Sequence, residues 1–346
     1  MIKKWLLRIL AFVFLCTLST IYVSANEGVY FSVSSVIPEN QIDKNLSYFN
    51  LKVTPSSSQE LKIKIFNNKN HEIKVKAIVT PATTCRNGFI SYTTLTNYDD
   101  SLKYPLPNIL KLDKSEYTVP AGSFVTATAL LNMPEESYDG IILGGLVFTK
   151  SDDESESKNK NEMTVQIENE YQYVVGVMLS ENDNKVAANM NLKYIKTILA
   201  NYHTNLAVNL QNDTSVIIPN LKISGTVYKK GSSEVYKSTE KENIKIAPNS
   251  NFDFMIDWQN HKFEAGEYRV HVIAKNEEYF WEWDETFTIT PEQANDTNKD
   301  SVDLINSTKN WGYIILAVLV LILVAFLSFI IGCRCKCKCF CKSKKD

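Results

Sequence analysis

The sequence predicts an all-β protein: two tandem immunoglobulin-like β-sandwich domains, preceded by an N-terminal signal peptide and followed by one C-terminal transmembrane helix. Three observations predict it. Apolar and polar residues alternate in short runs along most of the chain, which is the period of a half-buried strand. The first 25 residues run basic, then apolar, then small, the order of an export signal. Trp311 to Ile331 is 21 residues without a charge, about 31 Å as a helix and a match to the hydrocarbon core of a bilayer.

The leader, residues 1–25, begins with Lys3, Lys4 and Arg8, continues through the apolar Ile9 to Leu18, and ends on Val23-Ser24-Ala25. Small residues at the cleavage positions place the cut before Asn26. An uncleaved anchor is the alternative. Cys16 does not read as a lipidation site, because Leu15 stands before it where a small residue is needed.

Strand patterning fills the region between the two ends. Leu61-Lys62-Ile63-Lys64-Ile65 puts three aliphatic residues on one face and two lysines on the other. Similar runs are Tyr48 to Val53, Ile73 to Val79, Phe124 to Leu131, Leu206 to Leu210, Leu221 to Tyr228, Phe252 to Trp258, Tyr268 to Ala274 and Trp281 to Thr290. Strands this short, separated by turn residues, predict two packed sheets per domain. Met190 to Ala200 is the segment closest to a helical pattern. Asn87-Gly88 reads as a tight hairpin turn, supplying positive φ angles. Gly144-Gly145, inside an apolar run, reads as a bend for sandwich packing rather than a binding groove. The polar run Ser151 to Asn161 is either a linker or an exposed hairpin loop. The loop reading brings the strand-like Tyr171 to Leu179 back to close the first sandwich. The first domain is therefore placed at 29–150, with a last strand extending to about 183, and the second at 161–304. Pro291 to Thr308 reads as a polar separator before the membrane.

The span, 311–332, carries Trp311 and Tyr313 at its outer edge and is followed by a basic tail, 333–346. Aromatic residues favour the interface and positive charge stays in the cytoplasm, so the ectodomain faces outward, toward a cell wall. The tail alternates Cys333, Cys335, Cys337, Cys339 and Cys341. Zinc sites usually space their cysteines by two to four residues, so this pattern reads as a reduced stop-transfer segment, with thiophilic metal binding as the alternative.

Formal charge is −2 overall, but the leader carries +3 and the tail +5, which leaves −10 on the region between them. Such an acidic ectodomain has no general attraction for nucleic acid. Of seven cysteines only Cys85 lies in the ectodomain, so no internal disulfide is available there, which fits a bacterial surface better than a eukaryotic one. Sequons such as Asn45-Leu46-Ser47 then carry no meaning.

Catalytic signatures are missing. His71, His203, His261 and His271 are the four histidines, and none has a partner at metal-ligand spacing. No nucleophile elbow, phosphate loop or dinucleotide fingerprint appears. The expectation is a non-enzyme without metal or cofactor, and no binding residue is assigned. Tyr279, Trp281, Trp283, Phe287 and Ile289 share one parity. They read as an inward core face, with an exposed stacking platform as the alternative. Asn249 reads as a turn residue.

Several motifs in order resemble the WxL protein-interacting proteins of Gram-positive bacteria. In the first domain they are Phe31-Ser32-Val33, Ile37-Pro38-Glu39-Asn40-Gln41, Tyr48 to Val53, Asn87-Gly88, Ile90-Ser91-Tyr92 and Tyr138 to Gly145. In the second they are Ala247 to Phe252, Ala265-Gly266-Glu267-Tyr268, Trp281-Glu282-Trp283 and Phe287 to Thr290. The resemblance covers about Val29 to Leu304. One departure is that Cys85 follows Thr84 where the family commonly has a Thr-Asn pair.

The resemblance implies an anchored adhesion or scaffold protein. Its first domain would bind peptidoglycan. Its second would bind a host extracellular protein or glycan, or WxL-domain surface proteins. Beyond the leader the chain has no Trp-x-Leu of its own, which suits the docking side of such a pair. A β-sandwich carbohydrate binder or hydrolase is the alternative. A sensor signalling through the span is a further one, against which the short tail counts.

Overall fold

The structure is a computed structural model. It describes residues 31–94, 97–151, 171–302, 304 and 319–322. The export signal, the polar run after Ser151, most of the predicted span and the cysteine tail lie outside the described residues. Among the described residues no helix is long and apolar enough to cross a membrane.

Up to residue 302 the described chain is all-β, with two short helices. Eleven strands lie before Asn182: β1 (Phe31–Val36), β2 (Phe49–Lys52), β3 (Ser58–Asn67), β4 (Ile73–Pro81), β5 (Thr83–Thr84), β6 (Ile90–Ser91), β7 (Leu110–Leu112), β8 (Glu116–Val119), β9 (Phe124–Asn132), β10 (Ile142–Lys150) and β11 (Gln172–Ser180). One sheet runs β1-β3-β9-β7 and a second β2-β11-β10-β4-β8. Alternation explains the pairing. In β3, Leu61, Ile63 and Ile65 are buried while Lys62 and Lys64 point away. A slip of one residue would invert that set, so the register with β9 (Leu61↔Ala129, Ile63↔Ala127) is fixed by burial. Both sheets feed one core, with Phe31, Ile63 and Ala127 from the first and Phe49, Val75, Leu146 and Val177 from the second. Each of the Phe, Ile, Val and Leu side chains among them contributes about 1.5–3 kcal/mol on burial.

The two readings of the segment after Lys150 are separated by β11. It pairs antiparallel with β10 from Ile142↔Leu179 to Thr149↔Gln172, and parallel with β2. It therefore closes the sheet of the first sandwich. Gly144 and Gly145 serve packing: a Cβ on Gly144 would strike Leu106 and Thr80 O, and one on Gly145 would meet Tyr92 and Val174 at 2.9 Å. Leu106 belongs to α1 (Leu106–Ile109), a single turn laid against β4 and β10.

Seven strands follow: β12 (Met190–Ala200), β13 (His203–Asn212), β14 (Ile218–Lys229), β15 (Val235–Ile246), β16 (Ser250–Asp257), β17 (Gly266–Lys275) and β18 (Phe280–Ile289). They form a β12-β13-β16 sheet and a β15-β14-β17-β18 sheet. Met190 to Ala200, the segment with the most helical pattern, is thus a strand. Its β-branched Ile195, Thr197 and Ile198 suit a pleated surface. A Cβ on Gly225 of β14 would meet Ile256 of β16 at 2.7 Å, so these two sheets approach closely there. Trp258 is fully buried among Phe263, Tyr236 and Tyr268, with ring centroids at 4.7, 5.5 and 6.0 Å.

Pro291 to Thr308 is not simply a separator. Pro291–Lys299 forms helix α2, started by a capping box. Gln293 N donates to Thr290 Oγ1 at 3.2 Å, and Thr290 N donates to Gln293 Oε1 at 2.9 Å. Asn298 then exchanges two bonds with the backbone of Phe263, at 2.8 and 3.0 Å.

By contacts the described residues fall into two compact units. The first holds those up to Asn191, together with Gln211–Pro219 and Lys245–Phe252; the second holds Leu192–Leu210, Asn220–Ile244 and those from Asp253 onward. The first unit thus recruits the ends of strands that lie much later in sequence.

Candidate ligand cavity

The motifs that resemble a family are scattered in sequence, and the fold gathers several of them in the first unit. The Ile37-to-Gln41 group is structural. Gln41 Nε2 donates to Tyr48 O at 2.9 Å and its Oε1 accepts from Asn50 N at 3.0 Å, while Asn40 Nδ2 donates to Lys52 O at 2.8 Å. Between them these amides clamp the edge strand β2.

Asn87-Gly88 does make a hairpin, but only Gly88 takes a positive φ, at 79°. Gly88 N donates to Cys85 O and Cys85 N to Phe89 O, at 2.8 and 2.9 Å. This is a type I turn closed by a left-handed glycine, a longer loop than the two-residue type the dipeptide suggests. Cys85 is half-buried and has a free thiol. Beside it Thr84 faces the Ala247-to-Phe252 motif: its Oγ1 accepts from Ala247 N at 2.9 Å and lies 2.9 Å from Ser250 Oγ. Ala82, Leu143 and Ala247 form a small apolar cluster there, with Ile90 and Tyr92 packed on it.

Next to this junction lies a cavity of about 330 Å³. Its walls bring together the Tyr138-to-Gly145 motif, through Tyr138, Asp139 and Ile141 to Leu143, and the Ala247-to-Phe252 motif, through Pro248 and Asn249. The 101–104 loop, Val186 and the turn Asp213 to Ser215 complete it.

Local chemistry fixes each wall. Asn249 has φ 47°, a left-handed conformation that asparagine tolerates, so it is a turn residue as expected. It is also a cross-brace, because its Nδ2 donates to Ser101 O at 3.0 Å and Asp213 O at 3.2 Å. Gly140 has φ +85° and lies against Ser215, with no room for a side chain. Ser215 Oγ donates to Asp139 O at 2.6 Å, and Ile141 N donates to Ser215 O at 2.8 Å.

Asp99 organises the 101–104 loop. Its Oδ1 accepts from Ser101 N at 2.9 Å, Ser101 Oγ at 2.6 Å and Gln211 Nε2 at 2.8 Å, and its Oδ2 accepts from Asn251 Nδ2. Partial burial pushes this carboxyl up, but the hydrogen bonds from Ser101, Asn251 and Gln211 outweigh it and hold it below the ordinary carboxylate range. On the opposite wall Tyr104 and Tyr138 lie with ring centroids 6.1 Å apart, tilted 57°. The Tyr138 hydroxyl is buried and meets no hydrogen-bond partner among the described residues. Burial, and then the Glu181 carboxylate, push its ionisation well above the ordinary phenol range. Asp139 and Asp213 carry negative charge on the walls. The lining lysine, Lys103, is paired to Glu136 at 2.6 Å.

The aromatic strand β18 is not a closed core face. Trp283 stands opposite Val272 and Trp281 opposite Ala274, so their side chains share the face of buried residues. β18 pairs only with β17 and ends its sheet, which leaves both rings half-buried. Tyr279 stacks on Trp281 with centroids 5.2 Å apart, and Phe287 on Tyr268 at 5.6 Å. Among the described residues no group of three or more histidine, cysteine or acidic side chains is placed to hold a metal ion.

Paired sheets packed on a common core define the class as a β-sandwich protein. Two family models match the chain: the peptidoglycan binding domain of the WxL Interacting Proteins over residues 31–150, and the host binding domain of the same proteins over residues 162–299. The chain belongs to the WxL Interacting Protein family.

Solved structures add only distant likenesses. The chaperone-tip adhesin complex of CFA/I fimbriae biogenesis is 14% identical, covers 75% of this chain and 97% of its own, and has a TM-score of 0.30. The CupB2 chaperone of Pseudomonas aeruginosa is 12% identical over 68% and 96%, at 0.26. The E. coli chaperone DraB is 12% identical over 75% and 98%, at 0.27. No curated protein matches the chain.

Proposed function

We propose that this protein is a non-enzymatic scaffold of the Gram-positive cell surface. Two immunoglobulin-like sandwiches stand outside the membrane on a C-terminal helix at 311–332, after removal of residues 1–25. The first domain binds peptidoglycan. The second holds a WxL-domain surface protein, or a host extracellular protein or glycan. The observation that carries this reading is that two binding-domain models of one family together span nearly all of the described β fold. The charge of the region between the ends argues that adhesion rests on local, shape-based contacts, since bulk attraction to anionic wall polymers has the wrong sign.

The test uses the full chain purified in detergent. It is incubated separately with purified sacculi and with purified WxL-domain proteins, and co-sedimentation or capture is measured. Retention on sacculi and capture of a WxL-domain protein are expected. Retention by neither would overturn the reading.

A further inference from the structure

A strand that ends a sheet offers its outer backbone groups to any further strand. In the second unit β12, β15 and β18 are the longest strands in that position. The first two are shielded. β15 is broken at Asn243, which has φ 58°, and β12 meets helix α2 where Thr297 Oγ1 donates to Thr197 Oγ1 at 3.2 Å. β18 has neither protection. It keeps an unbroken register with β17 from Gly266↔Ile289 to Lys275↔Phe280, without a bulge or a proline.

The backbone phase shows which residues face outward. Asn276 N donates to Tyr279 O at 3.0 Å, closing the turn between β17 and β18. Bonded and non-bonded pairs alternate along an antiparallel ladder. Trp281, Trp283, Glu285 and Phe287 therefore exchange bonds with β17. Phe280, Glu282, Asp284 and Thr286 turn their N–H and C=O groups to the open side. Lys230 N agrees with this phase, because it donates to the O of Glu267, which stands opposite Thr288 and directs its backbone away from β18. Among the described residues no hydrogen bond reaches the open side of β18.

Charge selects the occupant. Between Asn276 and Thr290 the chain has five acidic residues and no basic one. Glu282 and Asp284 project from one face of β18, and Glu285 is exposed on the other. His271 and Arg269 each engage one carboxylate oxygen, at 2.7 and 3.0 Å, and leave Glu282 and Asp284 about half exposed. These acids disfavour a second copy. Antiparallel pairing of two β18 edges about Trp283 would set Glu282 against Asp284, and like charges directly opposite destabilise a ladder. A strand with lysine or arginine at alternate positions meets the two carboxylates favourably. Its intervening residues lie on the side of the half-buried Trp281 and Trp283, which suits apolar ones.

We propose that β18 takes an extended segment of a partner protein as an added strand, one in which basic and apolar residues alternate. The main-chain groups of Phe280 to Thr286 hold it, as in other cases of strand addition, and Glu282 and Asp284 select it. Trp281 and Trp283 remain part of the core edge. The proposal rests on the reading that the second domain holds a protein partner.

The test titrates the full chain, in a non-ionic detergent, into dye-labelled short peptides and measures fluorescence anisotropy. One peptide alternates lysine and valine, one has the same composition in two blocks, and one alternates glutamate and valine. The alternating lysine peptide should bind, and the other two should not. Thr286→Pro removes an outward N–H and leaves the ladder with β17 intact, a position where an edge strand accepts proline. It should weaken the peptide about tenfold, through one lost hydrogen bond and the ring beside it. Its urea midpoint should stay near that of the parent. A double variant, Glu282→Lys with Asp284→Lys, needs no proline and should exchange the lysine peptide for the glutamate peptide. Equal binding of the alternating and block peptides, parental binding by Thr286→Pro, or an unchanged preference in the double variant would overturn the proposal. Self-association of the parent that Thr286→Pro abolishes would overturn it too, because the edge would then serve a second copy.

Capture of purified WxL-domain proteins separates the proposal from the broader reading. Capture lost in Thr286→Pro supports both. Equal capture by parent and Thr286→Pro overturns the edge assignment and leaves partner binding standing. Peptide binding without capture upholds the edge and overturns that partner.

Discussion

Thr84 and Ser250, 166 residues apart, are buried hydroxyls 2.9 Å from one another. They belong to a closed ring of hydrogen bonds. Ala247 N–H donates to Thr84 Oγ1, the Thr84 hydroxyl is left to donate to Ser250 Oγ, and the Ser250 hydroxyl donates to Ala247 O. Every member is satisfied, which is the condition under which a buried polar group specifies structure rather than destabilising it. Thr84→Val keeps the shape and strands the Ala247 amide, so a loss of about 1–3 kcal/mol is expected in urea unfolding. Thr84→Ser should recover most of it. A valine variant as stable as the parent would mean that the ring contributes nothing.

Asp99 gives the first unit an acid-sensitive joint. Its carboxyl is held below the ordinary range, so the unfolded chain takes up the proton first. The stability it contributes is present above its ordinary value of 3.8 and is lost as pH falls through the lower folded value. Asp99→Asn keeps the shape but loses the charged acceptor of Ser101, Gln211 and Asn251, at a cost of about 1–2 kcal/mol near neutral pH for a partly exposed group. Urea midpoints of parent and variant should converge as pH falls from 5 through 3.8 and below. A constant gap across that range would show that the carboxylate's charge is not what matters.

Gly140 and Gly122 separate backbone strain from crowding. Both have positive φ, 85° and 60°, but a Cβ at Gly122 meets open space while one at Gly140 runs into Ser215. Gly122→Ala should cost about 1 kcal/mol, the left-handed penalty alone. Gly140→Ala should cost more, and should also weaken any ligand of the cavity whose wall Ser215 forms. Equal costs in parallel denaturation curves would remove the steric argument.

What the sequence discloses depends on how much of a strand's pattern comes from burial. In β3 and β17 the alternation is clean because one face meets the core, and both strands are read directly. β15 is not, because an inward position holds Lys237 and the next inward residues are Thr239 and Lys241, with apolar residues returning only at Ile244 and Ile246. β7 and β8 are too short to show a period. The cavity is invisible in sequence for a different reason. Its walls come from five separated segments, and the polar atoms that shape it are mostly backbone acceptors, which leave no compositional trace. The motif pairs Tyr138 to Gly145 and Ala247 to Phe252 were the available signal, but nothing in their spacing says that they meet.

The two tryptophans of β18 decide between an edge of the core and a stacking platform. Trp281→Ala and Trp283→Ala each remove half-buried ring surface beside Ala274 and Val272. Each should lower stability by about 1.5–2.5 kcal/mol, roughly half the cost at a fully buried site. Capture of a partner by the folded variant should be unchanged. A variant with parental stability and lost capture would make the face a platform instead.

At Lys237 the charged form destabilises the fold, the reverse of Asp99, although both pKa values are lowered. The lysine side chain enters the second unit with only 5% of the residue exposed. Its Nζ lies 3.0 Å from Gln259 Oε1 and 3.1 Å from His261 Nδ1. Gln259 Oε1 is an uncharged acceptor, and among the described residues the ammonium has no ion-paired carboxylate. Burial holds its pKa below the ordinary lysine value of 10.5, and the more distant Asp257 opposes this only in part. A cation with a depressed folded pKa is bound more tightly by a proton when unfolded. Stability is therefore lower below the folded value and is recovered as pH rises toward 10.5. Lys237→Met keeps the length and removes the charge, and buried charges replaced by apolar groups are often neutral to stabilising. At pH 7 the variant should be as stable as the parent or more so, by up to about 1 kcal/mol. Exposed lysines and tyrosines titrate alike in both proteins, so the difference between them isolates this site. That difference should shift in favour of the parent between pH 7 and pH 10.5. Urea midpoints at closely spaced pH values measure it, and a difference that does not change with pH would mean that Lys237 keeps an ordinary pKa in the folded chain.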